Sequence, residues 1–222
     1  MIVEKLHEAG FDELCPGVHV CSEPRVALTD LPQYVGRALL PHDSDGTIVW
    51  DIKVDRSDSA RSHGLDDFSM HTDAAFDEDP PRYVAMEVVQ LDKMGGGVQS
   101  YLSLDDILKD LNPEAIEILA TSFAWDVPAE FRTSGSTNLL PILFIVGDQL
   151  GIRYREDCID SSVATTAQRI ALDSLGSVIK NSDRFEYHLN TVGEQIVVDN
   201  WNVLHARTKV IDKARHLRRI RF

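Results

Sequence analysis

Cysteine is scarce in this sequence, and the few that occur show no pairing pattern. The 222 residues include three, Cys15, Cys21 and Cys158. An odd number without a CxxC spacing fits neither a disulfide framework nor a zinc ribbon, and it is more typical of a reducing compartment. We therefore predict inert, buried thiols and a cytoplasmic protein.

Positive charge is also scarce. Lysine and arginine total 22 against 36 aspartates and glutamates, which gives a net charge of −14. A protein that binds a phosphate backbone usually presents a basic surface, so we expect no nucleic-acid partner. Solubility explains the acidity most simply, and attraction of a cationic substrate is an alternative. The last 14 residues depart from this average, since they contain Lys209, Lys213, Arg215, Arg218, Arg219 and Arg221.

Long apolar runs are absent. None approaches the roughly 20 residues that span a bilayer, and the first residues lack the basic-then-apolar order of a signal peptide. We therefore expect no membrane partner. A hydrophobic content of 43% and a charged content of 26% are ordinary for a soluble globular protein. The length favours a single domain over residues 1–222 and leaves the oligomeric state open.

Short strand patterns outnumber helical ones. Alternating or β-branched runs predict strands at 47–54, 83–89 and 217–222, and hairpins at 143–154 and 185–199. Helical patterns cover 104–111, the segment that begins at Asn112-Pro113, residues 163–180 and, more weakly, 31–40. In the longest of these, apolar residues recur at helical spacing and predict one buried face, formed by Val163, Ala167, Ile170, Ala171, Val178 and Ile179. This mixture predicts a mainly β (α+β) fold, either a closed or a double-sheet antiparallel one. A jelly roll would bring segments that are distant in sequence onto neighbouring strands.

Three residues could bind one metal ion. His71 and Asp73 flank Thr72, and His205 follows 132 positions after Asp73. In an extended segment the side chains of residues i and i+2 point the same way, so the first pair can converge. Two imidazoles and one carboxylate occupy one face of an octahedral metal and leave the other face open, which suits non-heme Fe(II) that must also bind a cosubstrate and O2. A His-x-Asp tripeptide alone is common in surface turns, so the surrounding motifs decide.

Those motifs follow in a recognisable order. After His71-Thr72-Asp73 come PPRYVA at residues 80–85 and three glycines at 95–97. The segment DNWNVLHAR at residues 199–207 contains His205, and RHLRR follows at 215–219. Over residues 47–222 this order resembles the taurine dioxygenase-like (TauD/TfdA) family of Fe(II)/2-oxoglutarate-dependent oxygenases.

The resemblance implies a fold and a set of site residues. The family fold is a double-stranded β-helix, a cupin-like jelly roll with a few flanking helices. By position, His71, Asp73 and His205 would be the iron ligands. Arg215, ten residues after the distal histidine, would bind the far carboxylate of 2-oxoglutarate, and Arg219 would lie near the other carboxylate. An arginine also suits the charge balance, because Fe(II), the aspartate and a dianionic cosubstrate together are net negative.

One position departs from the family pattern. Many members carry a threonine two residues after the glycines, where its hydroxyl meets the cosubstrate. Here Gln99 occupies that position and can donate through its amide, while Ser100 could replace it if the loop shifts. Arg153 and Arg155 also match a stretch common in the family. Either could face the substrate or form a surface ion pair.

The resemblance implies hydroxylation of an unactivated C–H bond, with 2-oxoglutarate and O2 converted to succinate and CO2. We expect a small polar, amino-acid-like or natural-product substrate, possibly tethered to a carrier. The carboxylate of Asp73 argues against halogenation, since family halogenases carry a small residue there. Desaturation, cyclisation and epoxidation remain alternatives, as do a non-catalytic metal-binding sensor with the same fold and a hydrolase with another metal.

Overall fold

A computed structural model describes residues 2–42, 46–55, 61–128 and 138–222. The strands are β1 (Asp12–Cys15), β2 (Val18–Cys21), β3 (Trp50–Lys53), β4 (Phe68–His71), β5 (Tyr83–Gln90), β6 (Gln99–Ser103), β7 (Ser122–Trp125), β8 (Asn138–Pro141), β9 (Leu143–Val146), β10 (Gln149–Ile152), β11 (Phe185–Tyr187), β12 (Gln195–Asp199), β13 (Val203–Arg207) and β14 (His216–Arg221). The helices are α1 (Ile2–Glu8), α2 (Leu31–Tyr34), α3 (Leu104–Asp110), α4 (Pro113–Leu119) and α5 (Thr166–Asn181).

Two antiparallel sheets form the centre of the fold. The larger has six strands in the order β1-β2-β12-β5-β14-β3, and the smaller has four in the order β11-β6-β13-β4. Hairpins β7–β8 and β9–β10 stand beside them. Several neighbouring strands come from distant parts of the sequence, as β4 and β13 do. The predicted mainly β jelly roll is confirmed.

Alternate side chains of the two sheets meet in one buried layer. Met86 and Leu217 from the larger sheet share a hydrophobic cluster with Tyr101 and Val203 from the smaller one. Their neighbours along the strands point outward, because successive strand residues face opposite sides. The space between the sheets is therefore where inward-facing polar residues of β6, β13 and β14 must meet.

Helices cover both outer faces. Apolar residues of α1 and α2 pack on the larger sheet, and those of α3, α4 and α5 pack on the smaller sheet. No helix in the described ranges is long and apolar enough to cross a membrane.

The longest helix begins later than predicted and buries only part of the predicted face, with Ala171 and Ile179 in it. A capping box between Thr165 and Gln168 starts α5, because the threonine hydroxyl and glutamine side chain satisfy backbone groups that the first turn leaves free. Its buried residues are Ala171, Leu175 and Ile179. Val163 and Ile170, which the sequence pattern placed on the buried face, are 67% and 65% exposed. The predicted helix at 31–40 ends at Tyr34, since Gly36 adopts a left-handed φ of +74°.

The hairpin predicted at 143–154 is confirmed as β9–β10. The hairpin predicted at 185–199 is wrong. Strand β11 pairs with β6 in the smaller sheet, and β12 pairs with β2 and β5 in the larger one. The connection between them is held by Glu194, whose fully buried carboxylate accepts hydrogen bonds from the backbone N–H groups of Asn190 and Thr191 and from the hydroxyl of Tyr187. A local pattern shows two strands but cannot show that a buried carboxylate directs the chain from one sheet to the other.

Candidate metal and cosubstrate site

The three predicted metal ligands converge because two strands pair. His71 is the last residue of β4, His205 lies in the middle of β13, and the two residues stand opposite each other in the antiparallel register. Asp73 follows β4 by two residues and its carboxylate Oδ1 lies 3.8 Å from Nε2 of His71 and 3.7 Å from Nε2 of His205. One ligand atom from each residue lies within 4.8 Å of the other two, and all three residues are buried. In the described part of the chain no other such group was found.

This donor set fits a divalent first-row metal. With metal–ligand distances of roughly 2.1 Å, neighbouring ligands of an octahedron are roughly 3 Å apart, so a small inward movement would close the site. Nδ1 of His71 is 2.8 Å from the carbonyl oxygen of Ser69, and a donor N–H there leaves Nε2 with its lone pair toward the centre. Oδ1 of Asp73 faces both imidazoles and also accepts a 3.1 Å hydrogen bond from Nη1 of Arg219, which lies 2.9 Å from Oδ2.

The protonation states also suit a metal. Burial, reinforced by the neighbouring His205, holds the pKa of His71 well below its usual value. Burial alone would raise the pKa of Asp73, but the guanidinium of Arg219 and other nearby charges hold it well below the ordinary range. At neutral pH the site therefore offers a neutral imidazole and an ionised carboxylate, the forms that bind metals.

Asn200 fixes the backbone of the carboxylate ligand, and the sequence reasoning missed this role. Its Oδ1 accepts a 2.7 Å hydrogen bond from the N–H of Asp73, and its Nδ2 donates to the carbonyls of Asp73 and Pro81 at 3.0 and 2.9 Å. Ala74, the residue after Asp73, has a left-handed φ of +54°. This conformation costs free energy for a non-glycine residue and needs support from its surroundings. The signal was present, because Asn200 belongs to the DNW segment that carries the family resemblance.

The two histidines of the triad line a pocket between the sheets. Its lining includes Ile52, Phe68, His71, Met86, Gln99, His205, Arg207, Arg215, Leu217 and Arg219. Both predicted cosubstrate arginines thus lie beside the candidate metal ligands. His216 and Arg218 alternate with them and point away, toward Asp51 at 2.6 and 4.0 Å, as the strand alternation predicted.

Arg215 is a buried cation without a direct partner. It is 5% exposed, and its guanidinium forms no hydrogen bond or ion pair within the part of the chain that the structure describes. Burial, together with the positive charge of Arg207, lowers its pKa to about 10, so it remains charged at neutral pH. A buried charge is costly unless it is paired. The pocket therefore fits an anion that also reaches the metal ligands.

Gln99, not Ser100, lines the pocket. Gln99 faces the space between the sheets, where its Nε2 donates a 3.3 Å hydrogen bond to the carbonyl of Gly97. Ser100 follows it on β6 and therefore points to the other side, where its neighbour Leu102 joins the cluster under the helices. The strand geometry thus favours the glutamine over the serine as the substitute for the threonine of the family.

Three further arginines stabilise the surroundings of the site. Arg207 donates to the carbonyls of Gly64 and Asp66 at 2.6 and 2.8 Å. Arg153 is 4% exposed and donates to backbone carbonyls in the segment after Phe76. Among the described residues it forms no surface ion pair. Arg155 does form one, with Asp157 at 3.2 Å.

The Phe68 ring supports the first histidine. It stacks on the imidazole of His71 with a centroid distance of 3.7 Å. The guanidinium carbons of Arg155 and Arg61 lie 5.6 and 5.9 Å from the centroid of the same ring. This stack limits rotation of the imidazole at the pocket wall.

Comparisons with known proteins agree with this geometry. The family model of the taurine catabolism dioxygenase TauD, TfdA family matches residues 16–221, whereas no curated protein matches. A structure of asparagine oxygenase with Fe(II), 2S,3S-3-hydroxyasparagine and succinate is similar, with a TM-score of 0.74, 19% identity, and coverage of 92% of this chain and 73% of that one. The non-heme iron oxygenase OrfP with Fe and alpha-ketoglutaric acid has a TM-score of 0.74, 19% identity, and coverage of 99% and 77%. OrfP D157A with (3S)-hydroxy-L-Arg has a TM-score of 0.72, 21% identity, and coverage of 90% and 67%.

At these identities the solved structures establish the shared fold, and the family model covers nearly the whole chain. The chain belongs to the TauD/TfdA family of dioxygenases.

Proposed function

We propose that this dioxygenase hydroxylates a C–H bond of a small, amino-acid-like substrate, with His71, Asp73 and His205 as Fe(II) ligands and Arg215 as the residue that binds the far carboxylate of 2-oxoglutarate. One observation carries the proposal. An unpaired, buried guanidinium lies in the same pocket as the two histidines of a buried two-histidine, one-carboxylate set. A dianion that chelates the metal and reaches the arginine would satisfy both.

Each residue then has a role. Bound iron and 2-oxoglutarate would supply the oxidant that turns C–H into C–OH, with one atom of O2 in the product and the other in succinate, and with CO2 released. Arg215 orients the cosubstrate by a charge-assisted pair. Arg219 keeps Asp73 ionised and lies near the metal-side carboxylate, while Gln99 offers an amide N–H. The sheets on either side of the pocket exclude water from the reacting C–H bond.

The substrate class rests on the structural relatives. Asparagine oxygenase was solved with a hydroxylated asparagine, and OrfP with a hydroxylated arginine. The net charge of −14 also favours an approaching substrate with a cationic group over one that is wholly anionic. We therefore propose that the substrate is a free amino acid or a derivative of one. An amino acid attached to a carrier protein is the second form of substrate that we propose.

The first test is spectroscopic. Metal-free protein mixed with Fe(II) and 2-oxoglutarate without air should show the weak metal-to-ligand charge-transfer absorption of the chelated cosubstrate. Arg215→Ala should weaken 2-oxoglutarate binding about 100-fold, as expected for loss of a buried charge pair, while Fe(II) binding persists. Arg218→Ala is the matched control, because this arginine lies three residues after Arg215, in β14, with its side chain 51% exposed. Equal cosubstrate affinity in the Arg215 and Arg218 variants would exclude the assignment.

Substrate screening separates the alternatives. A library of amino acids should yield one product that gains an oxygen atom in step with succinate. A loss of two hydrogens would indicate desaturation or cyclisation instead. Tight Fe(II) and 2-oxoglutarate binding without succinate would indicate a sensor, and turnover without O2 would indicate a hydrolase.

A further inference from the structure

Gly97 packs directly against the arginine proposed to bind 2-oxoglutarate. It has a left-handed φ of +70°, and a Cβ at this position would lie 2.9 Å from Nε, 3.3 Å from Cδ and 3.4 Å from Cζ of Arg215. Contacts under 3.0 Å force one partner to move. The guanidinium therefore fits at this distance only because Gly97 has no side chain, and the backbone of Gly97 forms one wall of the space that the guanidinium occupies.

Hydrogen bonds join the two loops that contain these residues: the loop between β5 and β6, with Gly97, and the loop between β13 and β14, with Arg215. Asp92 accepts hydrogen bonds from the N–H groups of Ile211 and Asp212 at 2.7 and 3.1 Å. Gly97 donates to the carbonyl of Lys209 at 2.9 Å, and Arg215 donates to the carbonyl of Asp212 at 3.0 Å.

Gly96 allows this close approach, because its Cβ would lie only 2.6 Å from the carbonyl oxygen of Lys209. The two loops cannot slide past each other without breaking these bonds. Gly97 and the stem of Arg215 are thus held at a fixed separation.

Arg215 separates two spaces. On one side is the inter-sheet pocket with the triad, and on the other is a small outer cleft whose lining includes Asp92, Gly96, Gly97 and His188. Gly97 borders the outer cleft and not the inter-sheet pocket. A methyl group added at Gly97 would therefore push the guanidinium away from the cleft and toward the triad.

We propose that Gly97 is a positioning residue that sets the distance from the Arg215 guanidinium to the metal ligands, and so selects a five-carbon 2-oxo diacid over a shorter one. The inference rests on the proposed function, since it takes 2-oxoglutarate as the ligand of Arg215. A diacid must span the gap from the metal to the guanidinium with both ends satisfied. A shorter gap should therefore reduce the affinity for 2-oxoglutarate more than the affinity for the four-carbon oxaloacetate.

Gly97→Ala tests this inference through equilibrium binding. Calorimetric titrations of the Fe(II)-loaded protein without air give the affinities for 2-oxoglutarate and oxaloacetate. We expect the preference for 2-oxoglutarate to fall about tenfold in Gly97→Ala, with Fe(II) affinity unchanged. Gly95→Ala is the matched control, because Gly95 has a φ of +81° and a Cβ there would meet nothing within 4 Å. It introduces the same backbone strain without the contact.

The outcomes are distinct. The inference is overturned if the ratio of 2-oxoglutarate to oxaloacetate affinity in Gly97→Ala stays within about twofold of the wild-type ratio. It is also overturned if the variant loses affinity equally for both diacids. Either result leaves the proposed function standing. A wild-type protein that binds Fe(II) but neither diacid overturns both.

If Gly97→Ala does not fold, Gly97→Ala/Arg215→Ala replaces it. Alanine at position 215 lacks the Cδ, Nε and Cζ atoms that the new methyl would touch. A folded double variant supports the contact as the cause, and an unfolded one, beside a folded Arg215→Ala single variant, overturns the inference.

Discussion

Replacing Asn200 should weaken the protein more than a single buried polar side chain suggests. The residue is 1% exposed and forms three side-chain hydrogen bonds, two with the backbone of Asp73 and one with the carbonyl of Pro81. A typical hydrogen bond contributes roughly 1 kcal/mol net, and the groups left behind in Asn200→Ala have no water to replace it. We expect the free energy of unfolding to fall by about 3 kcal/mol, which for a chain of this size lowers Tm by roughly 6–12 °C.

The measurement is urea unfolding of the metal-free protein at pH 7.5, so that metal binding does not contribute. Asn202→Ala is the control, since Asn202 forms one side-chain hydrogen bond of 3.1 Å, to Asp199, and should lose about 1 kcal/mol or less. Asn200→Asp keeps the shape and the acceptor but removes both donors, so we expect it to be at least as destabilised as Asn200→Ala.

Fe(II) affinity should fall with stability, by about 10–100-fold, as is common when the support of a metal ligand is removed. If Asn200→Ala unfolds within about 1 kcal/mol of wild type, then these hydrogen bonds do not hold Asp73 in place and the reasoning is refuted.

Two further predictions concern groups away from the metal ligands. Burial, with the charges of Arg219 and Arg221, lowers the pKa of His42 from 6.5 to about 3. Between these two pH values the unfolded chain binds a proton at this residue that the folded chain does not. The free energy of unfolding should therefore fall as the pH drops from 6.5 toward 3, with a slope that approaches about 1.4 kcal/mol per pH unit. Urea midpoints measured from pH 7 downward should show this slope, and His42→Gln should reduce it; equal slopes would contradict the prediction. Burial also raises the pKa of Cys158 to about 11 and of Cys15 to about 11, so iodoacetamide at pH 7.5 should label the folded protein far more slowly than the urea-unfolded chain. Rapid labelling of Cys158 in the folded state, followed by mass spectrometry, would argue against its burial.

The metal ligands and the fold could be predicted from the sequence because both depend on short spacings or on motifs that follow in a fixed order. His71 and Asp73 lie two apart on an extended segment, and the motifs up to Arg215 follow one another in a fixed order. The buried face of α5 was predicted only in part. Ala171 and Ile179 are buried as expected, but Ile170 is exposed, and a sequence pattern cannot distinguish a solvated apolar residue from a buried one.

Long-range polar contacts were harder to foresee. The partners of Asn200 lie 119 and 127 residues away, and only the folded backbone shows that an amide reaches them. The carbonyl ligands of Arg153 are likewise invisible in a sequence, since every residue has a carbonyl and only tertiary structure decides which one meets a guanidinium.

The division of the site between two sheets has a consequence for folding. The candidate metal ligands belong to the β4–β13 side, whereas Arg219 belongs to β14 in the opposite sheet and Arg215 directly precedes that strand. Iron and an anion bound together would connect the two sheets, and each would stabilise the folded chain by a free energy that grows with the logarithm of its concentration over its Kd. The chain should then resist separation of its layers most strongly when both small molecules are abundant, so that supply of the cosubstrate also governs the lifetime of the folded protein.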